Sequence, residues 1–308
     1  REREIAGDNH QKEQNKYIYY KNMSRTFLKH NPTTSGEDKR TPVALIIGAG
    51  AGTGQAVAVK FASEGYHVVV VRRGKGPNRL LTDADDSQNK LMKFAQEIKD
   101  RGGEATALFA DGTKVEETVA LVKKIEGEIG PIAFINYNIG AQVGNRTLEK
   151  TSYRIFELAW RMGSLGAFAI AKEAAPYMIQ RGGGTIVYTS STSAYRGNPG
   201  QHAHTAAMGG RRNLCQSLSA ELNPQGIHIV HVNLDGLVRA PETAFKLMAR
   251  GNQEGFQKFV DDRLSTENIL EPSSIADTYF HLHMQPKGTW TQDLDLRPWK
   301  TNAWWMSK

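Results

Sequence analysis

From Thr41 onward, short apolar runs alternate with longer stretches whose apolar residues recur at helical spacing. Val43–Gly48, His67–Val71, Glu104–Ala110, Ile132–Tyr137, Thr185–Thr189 and Ile227–Val232 are the short runs, and each predicts a strand. Gly52–Ser63 reads as a helix, and Glu149–Gln180 as the longest one, with Ile155, Leu158, Ala159, Met162 and Leu165 on its apolar face. Trp290–Leu296 predicts a last strand before Pro298. Strands that alternate with helices pair in parallel, and the crossover helices cover both faces of the sheet. The pattern therefore predicts an α/β chain, a Rossmann-like doubly wound parallel sheet of about seven strands with helices on both faces.

Three segments follow from the same pattern. Residues 41–296 form one domain, since a chain of 308 residues supports a single large core with tails. Residues 1–40 are a polar N-terminal extension with an aromatic knot at Tyr17, Tyr19 and Tyr20. Residues 297–308 are a tail carrying Trp299, Trp304 and Trp305, whose rings each bury on the order of 200 Å² when they find a surface. Both ends are expected to dock, the aromatic residues serving as anchors on other protein subunits. Gly74–Lys90 reads as a long polar connection after the second strand.

Charge and cysteine usage narrow the function classes. The formal charge is +7, with nine Lys/Arg against six Asp/Glu in residues 1–40, so the tail carries +3 and the rest +4. That spread is too dilute for a nucleic-acid footprint, and no binding motif accompanies it. No apolar run approaches the ~20 residues of a membrane span. Cys215 is the only cysteine, which excludes a disulfide framework and fits a reducing, intracellular compartment. A chain beginning at Arg1 fits a mature organellar protein, mitochondrial first, with a cytoplasmic location as the alternative.

The first strand runs into Gly48-Ala-Gly50-Ala-Gly52-Thr-Gly54, and a helix follows at once. Glycines let the chain turn tightly and let its backbone approach a pyrophosphate, which then lies at the positive end of the helix. The second strand ends in Arg72-Arg73, where an acidic residue would bond the ribose 2′-hydroxyl of NAD. Two guanidinium forks suit a 2′-phosphate instead, so these residues favour NADP(H). Two solvated arginines at a strand end are the competing reading.

The spacing of Gly48, Gly52 and Gly54 resembles the turn of the short-chain dehydrogenase/reductase family, and the resemblance extends over roughly residues 43–240. It implies an adenine contact for Asp111 and a cofactor-lining segment at Asn138 and Gly140. The strand Thr185–Ser191 looks like the one that delivers a serine hydroxyl to the substrate carbonyl. Family serines precede the catalytic tyrosine by thirteen residues, which assigns that role to Ser191 and puts His204 at the tyrosine. Four residues on, where the family has a lysine, stands Met208, and at the family's proton-relay asparagine stands Gly163. The family's Pro-Gly-x-x-x-Thr appears as Asp235-Gly-Leu-Val-Arg-Ala240.

Imidazole is a competent general acid, but a thioether has neither charge nor a proton to donate. The resemblance therefore implies a degenerate member that keeps NADP(H) and serves as a structural or accessory subunit of a larger complex. The alternative is an active NADPH-dependent carbonyl oxidoreductase working through His204 and Ser191. His202 and His204 lie two apart on a helix and point to different faces, which makes them a poor metal pair.

Overall fold

A computed structural model describes residues 38–74, 84–240, 258 and 261–306. Its centre is a seven-stranded sheet in the order β3-β2-β1-β4-β5-β6-β7, with every neighbouring pair parallel. The strands are β1 (Val43–Ile47), β2 (His67–Arg72), β3 (Glu104–Phe109), β4 (Ile132–Tyr137), β5 (Gly184–Ser191), β6 (Ile227–Leu234) and β7 (Asp293–Leu296). The helices are α1 (Thr53–Ser63), α2 (Ala84–Asp100), α3 (Val115–Lys124), α4 (Tyr153–Trp160), α5 (Gly166–Gln180), α6 (His202–Leu222) and α7 (Pro272–His283).

Side chains alternate across the sheet and build two cores. In β1, Val43, Leu45 and Ile47 join one core, with Leu121 of α3, Ile170 and Met178 of α5, and Cys215 and Leu218 of α6. Ala44 and Ile46 join the other, with Val57 and Phe61 of α1, Leu91 and Ala95 of α2, and Ile275 and Tyr279 of α7. All five β1 residues are buried, as a strand covered on both faces requires. Each buried Val, Leu or Ile contributes about 1.5–3 kcal/mol. The strand order reverses between β1 and β4, and the crevice at the carboxyl ends of these two strands is where such folds place ligands.

Three sequence expectations need adjustment. The long helix expected over Glu149–Gln180 is broken by a π-helical turn at Arg161–Leu165, between α4 and α5. Glycine explains the break. A Cβ on Gly166 would sit 2.2 Å from the Gly112 carbonyl oxygen, and one on Gly163 would sit 2.6 Å from the Cβ of Ala207. The turn thus presses its backbone against the Gly112 segment after β3, the Tyr137 hydroxyl of β4 and helix α6, which no other residue type allows. The last strand is confined to Asp293–Leu296, because Trp290 stacks on His228 at 4.7 Å instead of pairing in the sheet. The polar connection from Gly74 ends at Ala84, where α2 begins, and residues 75–83 lie outside the described residues.

The C-terminal tail docks on its own domain through one tryptophan. Trp304 stacks on Tyr195 at 4.8 Å, its Nε1 donates to Asp295 at 3.2 Å, and its backbone N–H donates to Asp235 at 2.9 Å. Trp299 and Trp305 remain exposed, at 77% and 58%. Tyr17, Tyr19 and Tyr20 lie outside the described residues. Among the described residues, no helix is long and apolar enough to cross a membrane.

Candidate functional site

The glycine segment leaves β1 exactly at the switch point and is tied down on both sides. Gly48 adopts φ +90°, a left-handed conformation open to glycine, and its N–H donates to Val71 of β2 at 2.9 Å. The Asn138 amide, at the end of β4, donates to the Gly48 carbonyl at 3.0 Å. Gly50 donates back to that carbonyl at 2.8 Å. A Cβ on Gly54 would lie 2.7 Å from the same oxygen, so the turn closes on itself only with hydrogen at that position. At Gly52 a Cβ would lie 2.7 Å from the Cβ of Ala240, which covers the turn from the far side.

This turn fits a dinucleotide phosphate. Helix α1 starts from Gly52 without a side-chain cap and without an acidic residue in its first turn, so its positive end is left uncompensated by the chain. Gly140 has open space where a Cβ would stand and is exposed to solvent. Arg72 and Arg73 follow directly from Val71, which bonds the turn, and Arg73 is exposed. Asp111 is partly committed elsewhere: its Oδ1 accepts from the Thr113 N–H at 3.0 Å and from the Thr113 hydroxyl at 2.7 Å.

Ser191 and His204, thirteen residues apart in sequence, meet. Ser191 Oγ and His204 Nε2 are 3.2 Å apart. His204 is only 7% exposed, its Nδ1 is buried, and the Ala141 backbone lies within reach of the ring. Burial holds the imidazole pKa below its ordinary value. The neighbouring Ala141 backbone offsets this in part, and the nearby Arg211 charge adds to the lowering. At neutral pH the ring is uncharged, and the same burial makes it harder to protonate, which weakens it as a proton donor. His202, two residues earlier, is exposed on the other face of α6.

One turn along α6, Met208 is 2% exposed and belongs to a small apolar cluster with Ala141, Ala159, Ala203 and Ala207. Its sulfur lies 3.7 Å from the Ser190 hydroxyl, a weak contact at most. Gly163 lies across from Ala207 with no room for a Cβ. The positions of the expected lysine and asparagine are therefore filled by packing.

The residue that sequence reasoning missed is Arg211. Arg211 is fully buried, at 0% exposure. Its Nε donates to the Gly163 carbonyl at 2.8 Å and its Nη1 to Thr189 at 2.6 Å. Its Nη2 donates to Ile139 at 2.7 Å and Met162 at 3.0 Å. The guanidinium also lies 5.0 Å from the centre of the Tyr137 ring. Burial disfavours its charge, yet guanidinium stays protonated in proteins. One signal was available: His204, Met208, Arg211, Cys215, Leu218 and Leu222 follow a four-three spacing, which puts Arg211 on the buried face.

A shallow depression, open to solvent, lies beside His204 and between the loops that follow β4 and β5. The loops are joined by the Arg146 N–H, which donates to Gly200 at 2.8 Å, and by the Gln201 amide, which donates to Asn145 at 3.3 Å.

Residues 42–245 match the family model for short chain dehydrogenases. The 3-oxoacyl-[acyl-carrier-protein] reductase FabG of Staphylococcus aureus is 29% identical over 195 residues, covering 62% of this chain and 72% of that protein. A short-chain dehydrogenase from Rhodopseudomonas palustris, solved by crystallography, is 28% identical with a TM-score of 0.67, and the match covers 84% of this chain and all of that one. A metagenomic short-chain oxidoreductase crystallised with NADP shares the fold at 23% identity and a TM-score of 0.65, over 84% of this chain and 98% of that one. With a family match over most of its length and a sheet whose switch point carries the glycine turn, the chain belongs to the short-chain dehydrogenase family.

Proposed function

We propose that this chain binds NADP(H) and acts as an accessory subunit of a larger protein assembly, without turning over as a dehydrogenase. The observation that carries this reading is the closure of two positions. Met208 is packed among alanines where the family presents an ammonium, and Gly163 is pressed against Ala207 where the family presents an amide. A bound nicotinamide dinucleotide supplies hydride chemistry, but only to a site that also anchors its ribose and supplies a proton. In this chain Gly48, Gly52, Gly54 and the α1 N-terminus would hold the phosphates, and Arg72 and Arg73 a 2′-phosphate. Exposed Trp299 and Trp305 are aromatic surface of the kind that anchors a partner.

Calorimetry on the full chain tests both halves. NADPH is expected to bind more tightly than NADH, and the double variant Arg72→Ala, Arg73→Ala to lose that preference, each charge-assisted bond being worth about 1.5–3 kcal/mol. Equal affinities, or no nucleotide binding, would refute the cofactor assignment. Steady-state NADPH oxidation over a panel of ketones and aldehydes tests the rest.

The Ser191–His204 contact at 3.2 Å favours a second reading, an active NADP(H)-dependent carbonyl oxidoreductase with His204 exchanging the proton. Reduction of any carbonyl compound at about 1 per second or faster, abolished in His204→Ala, would establish it in place of the first.

A further inference from the structure

The segment Asp235–Ala240, which leaves β6, lies over the glycine turn, and the C-terminal tail lies over that segment. At its far end Ala240 is 8% exposed, and a Cβ on Gly52 would meet its Cβ at 2.7 Å, so Ala240 stands against the uncapped start of α1. At its near end the Asp235 N–H donates to the Leu296 carbonyl at 2.7 Å, and its Oδ2 accepts from the Trp304 N–H at 2.9 Å. A Cβ on Gly236 would lie 2.7 Å from the Cδ of Pro298, so the tail passes directly across the segment. Proline, the family's residue at the Asp235 position, has no N–H and no side-chain acceptor, and it could make neither bond. The departure from the family pattern gives the tail its seat.

The contact is fastened from several sides. The Trp304 ring stacks on Tyr195 at 4.8 Å, with 25° between the planes, and Arg196 donates to the Trp304 carbonyl at 3.0 Å. Tyr195 is itself fixed, since its hydroxyl donates to Asp293 at 2.6 Å and the Arg212 guanidinium lies 4.6 Å from its ring centre. Further along the segment, the Arg239 N–H donates to the Leu270 carbonyl at 2.9 Å, and the Leu270 N–H donates to the Leu237 carbonyl at 2.7 Å. The stretch before α7 that makes those bonds is in turn tied to the tail. Lys300 pairs with Glu267 at 3.0 Å, and the Thr301 hydroxyl donates to Asn268. Two routes therefore connect the tail to Ala240, one through Asp235 and one through Leu270.

We infer that Trp304 is a positioning residue: by seating the tail on Asp235 it holds Asp235–Ala240 over the glycine turn, and so sets how long a bound dinucleotide stays. This role rests on the nucleotide assignment proposed above. Ala240 is small and apolar, so it offers a phosphate no bond and acts by closing the way out of the turn. A cover held by hydrogen bonds and stacking must move before the ligand leaves, so the tail acts on the dissociation rate. The adenine end is independent of it. Arg72, Arg73 and Asp111 stand at the ends of β2 and β3, across the switch point from β6 and β7.

Stopped-flow release of NADPH from the full chain, chased with excess NADP and followed by nucleotide fluorescence, is the test. Trp304→Ala and Asp235→Ala are each expected to release NADPH at least about tenfold faster than the wild type. Trp304→Phe, which keeps a stacked ring, should stay within about threefold of it. Affinity for adenosine 2′-phosphate, which lacks the pyrophosphate and the nicotinamide half, should be unchanged in all three, which separates loss of position from loss of fold. In the nucleotide-free protein, hydrogen exchange at the Arg239 and Leu270 amides should quicken in the two alanine variants. Unchanged exchange overturns the proposal, as does a parallel loss of adenosine 2′-phosphate affinity. A wild-type chain that binds no dinucleotide overturns the retention role together with the nucleotide assignment. A wild type that binds NADPH, beside alanine variants that release it at the same rate, overturns the role of the tail alone.

Discussion

Replacing Arg211 with Met keeps much of the volume and removes the charge and every donor. Four backbone carbonyls are affected, those of Gly163, Thr189, Ile139 and Met162. Hydrogen bonds to charged groups contribute about 1.5–3 kcal/mol each, which would place the loss at roughly 6 kcal/mol or more if the bonds were independent. Two effects reduce it. Met162 keeps the Tyr137 hydroxyl as a donor at 2.8 Å, and the folded state no longer has to bury a guanidinium, itself a cost of several kcal/mol. A net loss of about 3–5 kcal/mol follows. For a domain of this size each kcal/mol lowers Tm by about 2–4 °C, so a fall of roughly 6–20 °C is expected. Urea denaturation and thermal melts of Arg211→Met and Arg211→Lys measure it, with Lys expected in between because its ammonium cannot span all four acceptors. The same variants carry an electrostatic readout: removing the positive charge should raise the His204 pKa, followed by its imidazole NMR signals. Arg211→Met within about 1 kcal/mol of the wild type, with an unmoved His204 titration, would refute the account of this cation.

Acid should destabilise the protein well above the carboxylate range. His283, buried between Tyr66 at 2.8 Å and Thr185 at 2.9 Å, has its pKa pushed down to about 3 by burial, while the unfolded chain titrates near the ordinary 6.5. Below pH 6.5 the unfolded state takes up a proton that the folded state refuses, so stability is full above 6.5 and drains as pH falls towards 3, by up to roughly 4 kcal/mol. Urea midpoints that stay flat from pH 7 to pH 4 would contradict this. Gly163→Asn should cost about 1–3 kcal/mol through overpacking against Ala207, and combining it with Met208→Lys should restore no carbonyl reduction. A double variant as stable as the wild type that oxidises NADPH against ketones would show that these positions are not closed.

The chain's local patterns already contained much of the architecture. Every β1 residue is apolar and every one is buried, because a strand covered on both faces needs a continuous run. Gly48, Gly52 and Gly54 were legible as a turn because their spacing between a strand and a helix is a local pattern, although the atoms that a Cβ would meet at Gly48 and Gly52 belong to distant Asn138, Ile139 and Ala240. The pairing of Ser191 with His204 was legible only through the family resemblance, since thirteen residues separate them and β5 and α6 bring them together. Legibility ended where distant backbones approach. The π-helical turn at Arg161–Leu165 exists because Gly163 meets Ala207 and Gly166 meets Gly112, contacts that no local periodicity encodes. Arg211 reads in the sequence as one more basic residue on a helix, and only the fold supplies the four carbonyls that accept its hydrogen bonds. Trp304 was recognisable as a ring in need of a surface, but that the surface is Tyr195 of its own domain, while Trp299 and Trp305 stay exposed, is a tertiary fact. The division has one physical origin: hydrophobic period and glycine content act over a few residues, whereas the partner of a buried charge or a packed ring is set by segments far apart in the chain.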